Sequence, residues 1–193
     1  MEQLASLEKF IAGICPLNGE ELDRFLSIWE PFSAKRKTML TRAGDTERHL
    51  YFVTEGIQRV YYYDEQDREA TIVFTYAPSF AGVADSFLTQ TPSRFFAETL
   101  TVSKFLKTSF RQLDDLMKQH HQLEHLIRVL TNAAFAGILE RMVEIQCFAA
   151  EEKFKTLLRR SPHLLHLIPH KYIASYLGID ATNFSKLLAK VRI

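Results

Sequence analysis

Cysteine is scarce in this chain: its 193 residues hold only Cys15 and Cys147, far apart in sequence. Two such residues exclude a disulfide framework, and they exclude a four-cysteine iron–sulfur site within one chain. Long apolar runs are missing too. None approaches the ~20 residues of a membrane-spanning helix. The stretch from Met1 to Pro16 lacks the basic start and extended apolar run of a secretory signal. The expectation is a cytoplasmic protein with no membrane partner. Glycine and proline, at seven and six residues, leave little room for disorder. Signatures of catalysis are also absent: there is no Gly-rich phosphate loop, no nucleophile elbow and no HExxH metal motif. The chain is therefore expected to bind rather than to catalyse.

Apolar residues are plentiful. At 47% hydrophobic, with 15 Phe, the chain can build a real core as one large domain or two small ones. The net charge of +1 conceals an asymmetry. Residues 151–193 carry eight basic side chains (Lys153, Lys155, Arg159, Arg160, Lys171, Lys186, Lys190, Arg192) against three acidic ones (Glu151, Glu152, Asp180). That end is +5 and the remainder −4. A basic end on an acidic body fits phosphate contact at one end only, and it equally fits a solvated helical surface.

The histidines do not form a convincing metal set. His166 and His170 are four apart, but Pro169 between them disturbs a shared helix, and His163 and His166 flank the core-like Leu164-Leu165. Solvated or hydrogen-bonded roles are expected, with no metal. One histidine would suffice for haem, but no residue pattern points to it.

Periodicity divides the chain into three parts. Residues 1–32 read as helical, from Leu4, Leu7, Phe10 and Ile11 and then Leu22, Phe25, Leu26 and Trp29, with Asn18 or Gly19 opening the second helix. Residues 33–109 change to short β-branched and aromatic runs separated by turn residues. Strands are expected at Lys37–Thr41, Leu50–Thr54, Gln58–Tyr63, Ala70–Thr75, Phe95–Leu100 and Val102–Ser109, which suggests a barrel or sandwich. Helix returns over residues 110–160. Its long segment, about Leu123 to Ala149, carries a broad stripe of Leu126, Leu130, Ala133, Phe135, Ile138, Met142 and Ile145. Such a helix exceeds what a small domain needs, so the surplus stripe could pair with its copy in a second subunit; burial within one subunit is the alternative. Ser161-Pro162 breaks the helix that follows.

The last 25 residues, from Pro169 to Ile193, read as two short helices joined at Gly178. Ile173, Ala174 and Leu177 form the apolar face of the first helix, and Phe184, Leu187, Leu188 and Val191 that of the second. Gly178 falls where a helix-turn-helix needs positive φ, Ile179 fills the angle, and Asp180 is placed to cap the second helix. The phase leaves Ala181, Thr182, Ser185, Lys186 and Ala189 outward, small and polar with one cation. That face suits a DNA major groove, although the same spacing fits an ordinary helical hairpin.

The order of β-barrel, long helix and terminal helix-turn-helix resembles the catabolite-activator and FNR-type (Crp/Fnr) superfamily of bacterial transcription regulators over almost the whole chain. HLYFVTEGIQRVYYYDEQDREATIVF is similar to the family's β-roll, including the Gly56 turn, and FAGVADSFLTQTPSRFFAETL lies where its phosphate-binding cassette falls. AAEEKFKTLLRRSPHLLHLIPHKYIASYLGID looks like the hinge and DNA-binding domain of a subgroup frequent in Bacteroidetes. The resemblance implies an α+β fold: an N-terminal double-stranded β-helix (a cyclic-nucleotide-binding-like jelly roll) with flanking helices, a long dimerisation helix and a C-terminal helix-turn-helix of winged-helix type. It divides the chain into a sensory β-roll at 1–115, a connecting helix at 116–149 and a DNA-binding domain at 150–193. Double-stranded DNA and a second copy of the chain are the implied partners, with RNA polymerase a further candidate.

Several departures from the family pattern bear on ligand and DNA. Cyclic-AMP responders carry Gly-Glu, whose Glu holds the ribose, and later Arg-Ser or Arg-Thr, whose Arg pairs with the cyclic phosphate. Here the first pair aligns as Gly82-Val83, followed by Ala84, and the second as Ser93-Arg94 in reversed order. A one-residue shift turns a strand side chain to the opposite face, although a shifted loop could restore Arg94. The positions expected to meet the purine fall at Ile138 and Leu139, both apolar. These departures disfavour cyclic AMP and leave a different small effector, or a vestigial pocket. At the DNA end the family's Arg-Glu and Ser-Arg become Ala181-Thr182 and Ser185-Lys186. Lys186 can still reach guanine O6 and N7. Thr182, Asn183 and Ser185 share this surface, and Lys171 and Lys190 are candidate phosphate contacts. No β-wing is expected after the second helix. The alternative function is a ligand-binding or interaction dimer whose helix-turn-helix no longer grips DNA.

Overall fold

The computed structural model of the chain describes residues 2–190, so the expected burial of Val191 lies outside the described residues. Helix α1 (Glu2–Ala12) buries Leu7 and Ile11. Helix α2 (Gly19–Ser27) starts at a capping box: the Asn18 side chain accepts from the Glu21 N–H at 2.9 Å, and the Glu21 carboxylate accepts from the Asn18 N–H at 3.3 Å.

Eight strands follow: β1 (Glu30–Ala34), β2 (Met39–Thr41), β3 (His49–Glu55), β4 (Ile57–Tyr63), β5 (Glu69–Tyr76), β6 (Ser79–Ala81), β7 (Phe96–Thr99) and β8 (Ser103–Ser109). They form two four-stranded sheets, β1-β8-β3-β6 and β2-β7-β4-β5, the interleaved order of a jelly roll. Strand β8 pairs antiparallel with both β1 and β3. The helical period expected through residue 32 stops at Ser27, and β1 replaces its end. Pro31 lacks an N–H and cannot donate to a ladder, which suits β1 as an edge strand, with Pro31 opposite Leu106. Gly56 makes the turn between β3 and β4 at φ 92°, and a Cβ there would sit 2.5 Å from the Val102 carbonyl oxygen.

A short helix α3 (Ala84–Thr89) lies between β6 and β7. Helix α4 (Phe110–Gln119) begins at a second capping box, between Ser109 and Gln112. Leu7, Phe25, Phe52, Leu106, Leu113, Leu123 and Leu126 form the main core, where α1, α2, α4 and the first turns of α5 (His121–Cys147) meet the sheet. Four helices complete the described residues: α6 (Ala150–Arg160), α7 (Leu164–Leu167), α8 (His170–Leu177) and α9 (Ala181–Lys190). None of the described helices is long and apolar enough to cross a membrane.

The chain divides into two compact units, Met1–Val60 with Phe74–Ala133, and Tyr61–Val73 with Ala134–Ile193. The second unit therefore includes the tip of the β4–β5 hairpin. There the Thr71 N–H donates to Ser175 Oγ at 2.9 Å, and Ser175 Oγ donates to the Glu69 carbonyl at 3.3 Å. Helices α6 and α9 meet through Phe154 and Phe184, whose rings pack edge to face at 5.4 Å. His170 joins this core with its ring 5.5 Å from Phe184.

Candidate nucleic-acid interface and effector site

Helix α8 places Ile173, Ala174 and Leu177 in the core, as its spacing predicts. It ends at Gly178 with φ 65° and ψ 36°. The Gly178 N–H donates to the Ser175 carbonyl and the Ile179 N–H to the Ala174 carbonyl, each at 3.1 Å. This pair of bonds is the Schellman termination, which needs a left-handed residue at Gly178. Two residues on, Asp180 caps α9: its Oδ1 accepts from the Asn183 N–H at 2.9 Å. That backbone N–H, foremost among its partners, holds the Asp180 carboxyl below its ordinary range. Phe184 and Leu187 are buried and Leu188 is half-buried.

The outward face of α9 is thereby fixed. Ala181, Thr182, Asn183, Ser185, Lys186, Ala189 and Lys190 are all exposed. Their side chains are not equally free. Asn183 Nδ2 donates to Asp180 Oδ2 at 2.5 Å, and Ser185 Oγ donates to the Ala181 carbonyl at 2.9 Å. Lys190 Nζ lies 2.6 Å from Glu151 Oε2, and Lys155 Nζ lies 2.8 Å from the other oxygen. These two ammonium groups, Lys155 first, pull the Glu151 carboxyl down to about 2. Lys171 is exposed with its ammonium 4.8 Å above the Tyr172 ring. Among the described residues, Lys186 is the α9 cation with no ion pair.

A charge cluster centred on the buried Glu144 fastens α8 to the second half of α5. Arg141 Nη1 donates to Glu144 Oε2 at 2.9 Å, Arg160 Nη2 lies 2.6 Å from Glu144 Oε1, and Arg141 also donates to the Tyr176 carbonyl. The Arg141 guanidinium stacks 4.0 Å from the Tyr176 ring centroid. Sequence reasoning passed over this cluster. Its signal was a charged pair three residues apart inside an otherwise apolar stripe.

That stripe is divided in use. Leu126 is fully buried and Leu130 packs against the same core, which removes both from the surplus surface expected to pair with a second copy. Ala133 is exposed. Beyond it Phe135, Ile138, Leu139, Met142, Val143 and Ile145 are exposed by 46–60%. Phe135, Ile138, Met142 and Ile145 recur at steps of three, four and three, the spacing of a coiled-coil seam. Ile138 and Leu139, expected in the effector pocket, thus belong to this exposed stretch of the second unit.

The cassette lies in the first unit. Val83 is 2% exposed and clusters with Val60 and Ala97. Ala84 is exposed at the start of α3. Ser93 is buried and turned on its own backbone, its Oγ donating to the Phe95 carbonyl at 2.8 Å and accepting from the Phe95 N–H at 2.9 Å. Arg94 is exposed. Beside Gly82 lies the buried carboxyl of Glu47, 3.5 Å from where a Gly82 Cβ would stand. It accepts from the Thr41 hydroxyl and, at 3.1 Å, from the His49 N–H. Arg59, also buried, is paired with Glu98 at 2.7 Å. A cyclic nucleotide needs a cation for its phosphate and an acceptor for its ribose hydroxyl. Val83 supplies no acceptor, Arg59 is taken, Arg94 faces solvent, and the group beside Gly82 is an acid. Val83 and Arg94 thus lack the placement of the cyclic-AMP pattern, while Glu47 stands as a buried acceptor beside Gly82.

Comparisons place this architecture. Residues 31–120 match the family described as the cyclic nucleotide-binding domain. Among curated proteins none matches the chain. Of solved structures, FixK2 from Bradyrhizobium japonicum is similar with a TM-score of 0.75, at 16% identity over 84% of each chain. A transcriptional regulator of the Crp/Fnr family from Eubacterium rectale gives 0.70, at 16% identity over 90% of this chain and 83% of that one. The c-di-GMP responsive global regulator CLP of Xanthomonas campestris gives 0.67, at 15% identity over 90% and 91%. Identities this low carry the fold and not the ligand. Residues 31–120 thus match the cyclic nucleotide-binding domain, and the chain shares the fold of the Crp/Fnr-type transcription regulators.

Proposed function

We propose that the chain is a homodimeric, sequence-specific DNA-binding transcription regulator. The observation that carries this reading is the α8–α9 pair. Its Schellman turn at Gly178 and cap at Asp180 hold an exposed, small and polar α9 face outward, with Lys186 unpaired on it. Thr182 and Lys186 are the proposed base-facing positions, with Ser185 beside them on the same surface, and Lys171 is the proposed phosphate contact. The three-part organisation serves this role: a sensory roll at 1–115, a connecting segment at 116–149 built on α5, and a DNA-binding domain at 150–193.

Dimerisation is assigned to the exposed seam of α5, Phe135, Ile138, Met142 and Ile145. Leaving six large apolar side chains in water is costly, at roughly 25 cal/mol per Å² of apolar surface, and a second copy of the same helix covers them. A two-fold dimer presents two α9 helices to successive major grooves, about 34 Å apart. The effector is proposed to be a small molecule other than cyclic AMP, taken by the cassette around Gly82, Val83, Ala84 and Ser93. It acts only if its affinity differs between two arrangements of the DNA-binding domains.

Salt dependence of DNA binding tests the reading. A regulator that neutralises phosphates loses affinity steeply as salt rises, and Lys186→Ala relaxes base preference at one position in each half-site. Affinity that is flat in salt and indifferent to Lys186→Ala contradicts it.

A further inference from the structure

We infer that α9 reads its half-site chiefly through thymine methyl groups, with a single guanine contact from Lys186. This rests on the DNA-binding reading above and specifies the class of sequence that would be bound. Major-groove recognition works by matching side chains to four distinct base patterns. An Asn reads adenine only if its amide can both donate and accept at the base edge. Asn183 has one amide N–H on Asp180 at 2.5 Å and its backbone N–H on the same carboxylate, which holds its side chain at the cap of its own helix rather than aimed at a base edge. Ser185 has spent its hydroxyl proton on the Ala181 carbonyl. Lys190 is held by Glu151 at 2.6 Å.

The exposed side chains of the first two turns that make no hydrogen bond within the helix are Ala181, Thr182 and Lys186, with Ala189 beyond them. Three of these four end in methyl groups. The base atom that rewards a methyl is the C5-methyl of thymine, since the other major-groove groups are polar. Lys186, a compact cation with three donors, suits the paired O6 and N7 acceptors of guanine. Thr182 and Lys186 are four residues apart and share a helix face. Four residues advance the helix by about 6 Å, or roughly two base-pair steps. The half-site is therefore thymine-rich, with its guanine about two base pairs from the thymine that meets Thr182.

The test is selection of binding sites from random duplex DNA by the full-length protein, followed by replacement of selected thymines with uracil, which deletes only the methyl. The expected motif is thymine-rich with one guanine per half-site. Uracil in place of the contacted thymine weakens binding about fourfold per methyl. Thr182→Ser, which keeps the hydroxyl and deletes the methyl, abolishes the thymine–uracil difference at that position. Lys186→Ala removes the guanine preference, about tenfold. A selected motif indifferent to uracil would overturn this inference and leave DNA binding intact. Failure to enrich any sequence would overturn both.

Discussion

Gly178 decides whether the C-terminal hairpin closes. At φ 65° it takes a conformation that costs an L-residue about 1–2 kcal/mol, and nothing lies within 4 Å of where its Cβ would be. The penalty of Gly178→Ala is then backbone strain alone, about 1 kcal/mol in denaturant unfolding, and Gly178→Asn recovers part of it. A steric clash would instead show as a much larger loss that Asn does not relieve. Glu151 offers a test by pH. Its carboxyl is pulled from 4.5 to about 2 by Lys155 and Lys190. A depressed carboxyl stabilises the fold above its unfolded value and loses that contribution as pH falls through the folded one. The tie between α6 and α9 should thus hold at neutral pH and weaken between about pH 4.5 and about pH 2. Removing the group by Glu151→Gln should flatten thermal stability across that window. Because the side chains are exposed, the effect is small and screened by salt.

At the scale of elements, the hairpin tip on α8 is the contact with the clearest signature. Ser175 Oγ is the acceptor for the buried Thr71 N–H. Ser175→Ala removes that acceptor, which costs about 0.5–1.5 kcal/mol, and hydrogen exchange at Thr71 should accelerate while that of core strand β3 does not. Unchanged protection at Thr71 would show that the bond does not hold the tip. The hairpin strands themselves were readable from sequence, because Gln58–Tyr63 and Ala70–Thr75 are rich in β-branched and aromatic residues and flank the Asp64–Asp67 turn. Helix α9 and its outward face were readable from the 3.6-residue period of Phe184, Leu187 and Leu188. Strand β1 was hidden because Pro31 mimics a helix end, and β6 because three residues leave no period to detect. Contacts between distant residues had no local signal at all. Thr71 and Ser175 are separated by 104 residues, Glu151 and Lys190 by 39, and Glu47 meets Gly82 only once the roll has closed. The departures at Val83 and Arg94 were visible in sequence; the acid at Glu47 was not.

For the whole molecule, the division of α5 matters most. Its first turns belong to the core through Leu123 and Leu126, whereas Phe135 to Ile145 keeps its apolar side chains in solvent. In the proposed dimer a second copy covers that seam, and two-fold symmetry in the protein then calls for two-fold symmetry in the DNA. Ile138→Asp places a charge in the seam and should shift the chain from dimer to monomer in sedimentation without unfolding it, since Ile138 is already 57% exposed. The monomer should lose affinity for a two-half-site duplex far more than for a single half-site.

The central claim, a two-fold dimer gripping DNA through α9, is tested most directly by the mass of the protein–DNA complex in sedimentation equilibrium on a selected duplex. The account predicts two chains per duplex, with binding lost when the spacing between half-sites changes by about five base pairs, half a helical turn. One chain per duplex, or binding indifferent to that spacing, would contradict it.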